Sequence, residues 1–333
     1  MAATGLGELS ETTLARSVSA LVLALALASC HRSQFDTPLW AYPVNPEATD
    51  KAAPTGADTP LRVDNSKTAY TSTEIHDLFA VPDWRPAEHP PMPAVVATGR
   101  KPDVMACGYC HLSTGDGRTE NASLAGLPKA YIVAQMKHFA DGSRTSSVDG
   151  RAPTALMAKI AKAATDREID AAASYFSSLT RRSYVRVVEA AAIPKVDVAG
   201  WVYRKAASGG QEPIGQRVVE TPDDFERFEK RDPAVRYTAF VPPGSIKRGE
   251  GIARRHGVDG AAACSTCHGA DLHGSPVAPP LAGRSPTYIV RQLYDFQTKS
   301  RAGDAAAAMQ SVVKPMRTAD MMAVSAYLGS LPP

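Results

Sequence analysis

Apolar positions in this 333-residue chain recur mostly at helical spacing. Ile132, Met136 and Phe139 share one face of a stretch that begins after Pro128, and Ile289, Leu293 and Phe296 do the same after Pro286. Both prolines stand where a first helical turn tolerates them, and Ser285 is a suitable N-cap. A further helix is predicted to open with Thr165-Asp-Arg-Glu168, a capping box. It continues through a stripe of Ile169, Ala172, Ala173, Phe176 and Leu179. A counterpart runs through Met321, Val324, Ser325, Leu328 and Leu331, with a less distinct cap around Thr318 and Asp320. Residues 183–243 follow another pattern. Tyr184-Val-Arg-Val-Val and Gln216-Arg-Val-Val-Glu favour strands, and Thr221-Pro-Asp-Asp-Phe-Glu-Arg-Phe starts as a capped short helix. A small β-containing insertion is expected there.

The N-terminal end is patterned differently again. Leu21–Ala28 is an unbroken apolar run behind a single basic residue, Arg16, and it is too short for the roughly 20 residues that span a bilayer. It reads as the apolar part of a secretory signal over residues 1–29 and ends in Leu27-Ala28-Ser29-Cys30, which looks like a lipoprotein cleavage box. Cys30 is then the expected lipidation site and bilayer attachment; the alternative is a free or structural thiol after ordinary cleavage. Residues 30–91, rich in Pro, Thr, Asp and Ala, are expected to form a tether and a segment wrapping the first domain, anchored by Ile75, Leu78, Phe79 and Trp84.

The chain repeats itself. Leu124, Tyr131, Gln135, Phe139 and Arg144 recur as Leu281, Tyr288, Gln292, Phe296 and Arg301, all at the 157-residue offset that also separates Cys107 from Cys264. The offset later falls to 152, at which Met157 matches Met309, Tyr175 matches Tyr327 and Leu179 matches Leu331. A constant offset over that distance means one domain used twice, at residues 92–182 and 244–333.

Each copy carries the same pentapeptide pattern, Cys107-Gly-Tyr-Cys110-His111 and Cys264-Ser-Thr-Cys267-His268. Cys-x-x-Cys-His is the attachment sequence of c-type haem. A turn of helix sets the two thiols apart by the distance between the vinyl groups on one porphyrin edge. The next residue, His, then projects at the iron. A shared zinc site would use the four cysteines but leave both histidines unexplained, and a redox dithiol lacks a βαβ setting.

On these motifs the chain resembles the tandem dihaem class I cytochromes c, over about 92–179 and 245–331. The resemblance implies a mainly α fold, two cytochrome c-like helical domains joined by the insertion, and two haem c groups as cofactors. It implies Cys107, Cys110, Cys264 and Cys267 as covalent haem attachments, with His111, Met157, His268 and Met309 as axial iron ligands, each methionine in a loop before the last helix. Pro279, in Pro279-Pro-Leu281-Ala-Gly283, matches the family position whose carbonyl accepts from the proximal His; the first copy has Ala122 there. Met316, Met321 and Met322 compete for the ligand role in the second copy, and Met92, Met105, Met136 and His138 in the first. His138, matched by Asp295, reads as surface, as do His256, His273 and the stretch Asp223–Asp232. Tyr131 and Arg144, with Tyr288 and Arg301, are candidates for the haem edge, where the arginines would pair with propionates; Gln135 and Gln292 join them. The plain alternative is core aromatics and solvated arginines.

The formal charge of +3 becomes +4 after cleavage before Cys30, which excludes an electrostatic footprint for nucleic acid. The expected function is an electron carrier at the periplasm-facing membrane surface of a bacterium, exchanging single electrons with a redox donor and acceptor. A membrane dehydrogenase and a terminal oxidase are the candidate partners. The alternatives are a haem subunit of a dehydrogenase complex and, behind it, a dihaem peroxidase-like enzyme, against which the paired methionines argue.

Overall fold

The computed structural model describes Met1, residues 37–45 and residues 58–333. Of its two compact units, Met1–Thr37 lies almost wholly outside the described residues, as do the signal and Cys30; the other, Pro38–Pro333, holds both copies of the repeat and the insertion. Among the described residues no helix is long and apolar enough to cross a membrane.

The wrapping segment carries α1 (Ser72–Ile75), and the first copy contains α2 (Ala94–Ala97), α3 (Cys107–His111), α4 (Lys129–Asp141), α5 (Ala152–Ala163) and α6 (Asp166–Ser178). The capping box forms at α6: Thr165 accepts from the Glu168 amide, and Glu168 accepts from the Thr165 amide at 2.8 Å. Val95, Val96, Ile132, Ile160, Phe176 and their neighbours form this copy's core.

The insertion comes next, with β1 (Val185–Glu189), β2 (Ala192–Pro194), β3 (Val196–Ala199), β4 (Val202–Lys205), β5 (Gln211–Pro213), β6 (Val219–Pro222), α7 (Phe225–Glu229) and β7 (Tyr237–Val241). β7 is central in the largest sheet, parallel to β1 (Val185 opposite Tyr237) and antiparallel to β6 (Val219 opposite Phe240). β2 pairs with β5 and β3 with β4 as separate antiparallel pairs. The cap of α7 is Asp224, whose carboxylate accepts from the Arg227 amide at 2.9 Å.

The second copy has α8 (Ser245–Gly251) running into a wider turn over Ile252–His256, then α9 (Ser265–His268), α10 (Pro286–Gln297), α11 (Ala306–Val313) and α12 (Thr318–Ser330). Ser285 caps α10 by accepting from the Tyr288 amide, with Pro286 in the first turn. The indistinct cap of α12 resolves at Arg317, whose amide donates to Asp320 at 2.9 Å. α8 and α12 cross so closely that a side chain on Gly249 would overlap the Ala323 carbonyl.

The segment before the first copy wraps more than expected. Ile75 and Trp84 are buried, and the Trp84 indole donates to Lys230 O of the insertion. Ala41 and Tyr42, by contrast, join the core of the second copy. The insertion also reaches that copy: buried Glu220 of β6 accepts from Ser285 Oγ at 2.7 Å and Thr287 Oγ1 at 2.9 Å, at the start of α10. Burial raises the Glu220 carboxyl above the usual carboxylate range.

Three surface readings are corrected. His138 and Asp295 are 8% and 6% exposed. Each belongs to a helix face that its own copy leaves open and the other copy covers: Gly303 sits against the His138 ring, and Ser147 donates to Asp295 at 2.7 Å. Asp232, at the end of the stretch read as an exposed face, is fully buried and accepts from Arg85 Nε at 3.0 Å.

Candidate haem-binding sites

In the first copy the single helical turn of α3 carries Cys107, Cys110 and His111. His111 is 7% exposed, and its Nδ1 lies 2.8 Å from the Ala122 carbonyl oxygen. A carbonyl only accepts, so Nδ1 carries the proton and the Nε2 lone pair is left for a metal. Burial lowers the imidazole's proton affinity and keeps it neutral, the form that ligates iron. The second copy repeats the device on α9: His268 is 7% exposed, with Nδ1 2.7 Å from the Pro279 oxygen. Ala122 thus stands where Pro279 stands and offers the same carbonyl. Burial also raises the thiols, Cys107 to about 12 and Cys264 to about 11. Among the described residues no three His, Cys, Asp or Glu side chains converge into a group that could hold a metal ion.

A cavity of about 640 Å³ opens beside α3 and is lined by Cys107, Cys110, His111 and Met157. A second, of about 110 Å³, shares His111 and Met157 and extends to Tyr131, Arg144 and Arg151. Met105 and Met136 also face the larger one. Met157 lies on α5 and Met309 on α11, both half-buried, where the resemblance implied loops. Alanine-rich sequence around each methionine favours the helix. In the second copy Met316, Met321 and Met322 are sunk in the apolar core, while Met309 packs at its edge.

At the contact between the copies, Arg144 pairs with Arg301 as an isolated antiparallel bridge, so a residue meets its own repeat. Flanking backbone bonds, Thr145 N to Ser300 O at 2.7 Å and Ala302 N to Ser143 O at 2.6 Å, continue the ribbon. This is the signature of a local twofold. The side chains obey it too. Arg144 donates to Gln135 (2.7 Å) and across to Gln292 (2.8 Å); Arg301 donates to Gln292 (2.9 Å) and across to Gln135 (3.0 Å). Arg301 also reaches the Tyr131 hydroxyl at 2.7 Å, and Arg144 the Tyr288 hydroxyl at 3.4 Å. Both arginines are 8% exposed, so the solvated reading is overturned, and each guanidinium also sits over a phenylalanine, Phe139 or Phe296.

One residue that the sequence did not single out completes the first site. Arg151 is 4% exposed, with one guanidinium nitrogen, Nη1, lacking a partner. Burial, then the charge of Arg291, pulls Arg151 down to about 9. Nothing in the sequence around Arg151 marks it, because it has no counterpart at either repeat offset. An unfilled donor on a buried cation calls for an acceptor, and an anionic one also offsets the charge. A haem attached at Cys107 and Cys110 brings two carboxylates; the larger cavity holds those cysteines, the smaller one Arg144 and Arg151, and His111 and Met157 line both. The donor set therefore fits haem: thiols at one end, a neutral imidazole and a thioether along the wall, guanidinium groups at the other.

Attachment cysteines followed at once by a buried, proton-donating histidine, on helical units used twice, define a c-type haem protein. Comparison with known proteins makes this specific. The cytochrome c family model matches residues 257–332. The thiosulfate dehydrogenase electron acceptor of Thiomonas intermedia is 26% identical over 236 residues, 69% of this chain and 81% of that protein. Cytochrome c4 of Pseudomonas aeruginosa is 24% identical, over 68% of this chain and 83% of its own length. Cytochrome c-554(548) of Halomonas halodenitrificans is 32% identical over 22% of this chain and 90% of its own. Against the solved thiosulfate dehydrogenase of Marichromatium purpuratum the identity is 24% and the TM-score 0.48; 70% of this chain matches 38% of that one. The chain belongs to the cytochrome c family, with the two-domain architecture of its dihaem class I members. It is a mainly helical electron-transfer protein of the kind that binds haem c covalently.

Proposed function

We propose that this chain holds two haem c groups, at Cys107/Cys110 and Cys264/Cys267, and relays single electrons between two redox proteins outside the cytoplasm. His111 with Met157, and His268 with Met309, are the axial pairs, and lipid on Cys30 holds the protein to a membrane surface. When bound, the haem supplies an iron that gains and loses one electron. The chain's residues do the rest. The Ala122 and Pro279 carbonyls fix the two imidazoles in the ligating tautomer. Thioether ligands would favour the ferrous state and take the iron position that peroxide would otherwise use.

The observation that carries this reading is the twofold cluster of Arg144 and Arg301 with Tyr131, Gln135, Tyr288 and Gln292. It brings the arginines proposed for the two haem edges together at one place, and haems held there would be near enough to exchange electrons. A second reading, the electron-accepting subunit of a separate dehydrogenase, is favoured by the Thiomonas relative's name and changes only the partner.

Potentiometric titration of the purified protein tests the proposal. Two one-electron transitions are expected, both low-spin by optical spectroscopy, with a weak near-infrared band from thioether-to-ferric bonding. A high-spin component that binds peroxide rapidly contradicts it.

A further inference from the structure

One residue outside both attachment motifs touches the loops behind both proximal histidines. Resting on the two-haem relay reading, we propose that Arg284 is a positioning residue shared by the two haem sites, a single guanidinium that holds the histidine-accepting loop of each copy.

Each proximal imidazole depends on one backbone carbonyl, Ala122 O for His111 and Pro279 O for His268. The next residue along offers a carbonyl too, Ser123 O in the first copy and Pro280 O in the second, and these two are equivalent at the 157-residue offset. Arg284 binds both. Its Nη1 donates to Ser123 O at 2.8 Å and its Nε to Pro280 O at 2.7 Å. A line of hydrogen bonds and peptide bonds therefore runs from His111 through Ala122, Ser123, Arg284, Pro280 and Pro279 to His268.

The geometry favours arginine there. A guanidinium carries its donors in a rigid planar fork and meets two carbonyls at a fixed spacing, whereas an ammonium is a single point of charge. Arg284 is 6% exposed, and its remaining nitrogen, Nη2, has no partner, so both of its hydrogen bonds go to these two loops. Its repeat counterpart is Leu127. One side chain thus serves both sites, as befits a group at a local twofold contact.

Other ties hold the copies together without it. Arg181 donates to Ala282 O, Arg291 Nη2 donates to Thr119 O at 2.6 Å, and Arg144 meets Arg301. Neither Ala282 nor Thr119 adjoins a histidine acceptor. Loss of Arg284 is therefore expected to be felt at the imidazoles, while the copies stay associated. The bond behind a metal-ligating histidine fixes its ring and sets its basicity, so a residue that steadies both acceptors acts on both irons. A cation shared by the two loops also opposes the extra positive charge of a ferric iron at either site.

NMR of the ferrous holoprotein with isotope-labelled histidine gives one Nδ1–H signal per proximal imidazole, and exchange of that proton with deuterium reports how firmly its carbonyl is held. In Arg284→Met both protons should exchange about 10-fold faster, the change expected when each loop loses a hydrogen bond to a charged group. Both reduction midpoints should also fall, because the cation is gone. Arg284→Lys keeps the charge without the fork, so its midpoints should stay near native while at least one proton still exchanges faster. Arg181→Met, which cuts a tie that avoids both acceptors, should leave both rates close to native. A cooperative thermal transition and two covalent haems per chain show that each variant has folded. Faster exchange at one histidine only in Arg284→Met, native exchange at both in Arg284→Lys, or equal acceleration in Arg181→Met would overturn the shared role. Native protein without a pair of proximal signals would remove the two-haem reading itself; a native pair that Arg284→Met leaves unmoved removes only the role given to Arg284.

Discussion

Replacing Met157 by Ala is expected to lower the reduction potential of one haem by on the order of 100 mV or more, since axial ligands set haem potentials over a range of about 0.8 V. The near-infrared band should lose about half its intensity, because one of two thioether–iron bonds is gone. Met157 is the candidate because it shares both cavities with His111 and matches Met309 in the other copy. Met136 also faces both cavities, and Met105 faces the larger one, so parallel Met136→Ala and Met105→Ala variants discriminate. Loss of the band in either of these, with Met157→Ala unchanged, would move the ligand.

The largest expected effect on stability comes from Asp232→Ala. Asp232 is fully buried and accepts from Arg85 Nε (3.0 Å) and Nη2 (3.2 Å) and from the Ala234 amide (2.9 Å), with Arg227 3.3 Å away. It ties the wrapping segment to the insertion where both lie over the first copy; the neighbouring Trp84 indole donates to Lys230 O at 2.7 Å. Deleting the Asp232 carboxylate removes charge-assisted hydrogen bonds and leaves the Ala234 amide without its acceptor, at about 1.5–3 kcal/mol, while Arg85 and Arg227 keep Glu88 and Asp64 as partners. Thermal unfolding should shift down by roughly 5 °C. Asp232→Asn, which keeps an acceptor for the Ala234 amide but loses the charge, should fall between. An unchanged unfolding midpoint for Asp232→Ala would show that the clamp is not structural.

How much of the fold and the sites was legible in the residues depends on how local each cause is. The pentapeptides, the caps at Thr165 and Ser285 and the apolar stripes of α4, α6, α10 and α12 answer to rules a few residues long, and they fold as read. Two of the insertion's strands, β1 and β6, and its short helix were legible for the same reason, although Thr221 falls in β6 and Asp224 is the cap; β2–β5 and β7 were not read. What escaped is burial made by a distant part of the chain. His138 and Asp295 look like solvent positions on their own helices, and only the other copy buries them. Arg151 and Asp232 carry charges that sequence patterns assign to the surface, yet one points into a cavity and the other is enclosed by two arginines. The repeat matched Arg144 to Arg301, but only the twofold contact shows that the matched residues meet each other.

Porphyrin bonded through thioethers at both pentapeptides underlies every functional role given to these residues, and counting covalent haem tests it most directly. Protein produced with a working haem-ligation system, stripped with acidified acetone and assayed as the pyridine haemochrome, should retain two haems per chain. Replacing Cys264 and Cys267 together by Ala should leave one. Haem that extracts completely, or a colourless chain carrying zinc, would contradict it.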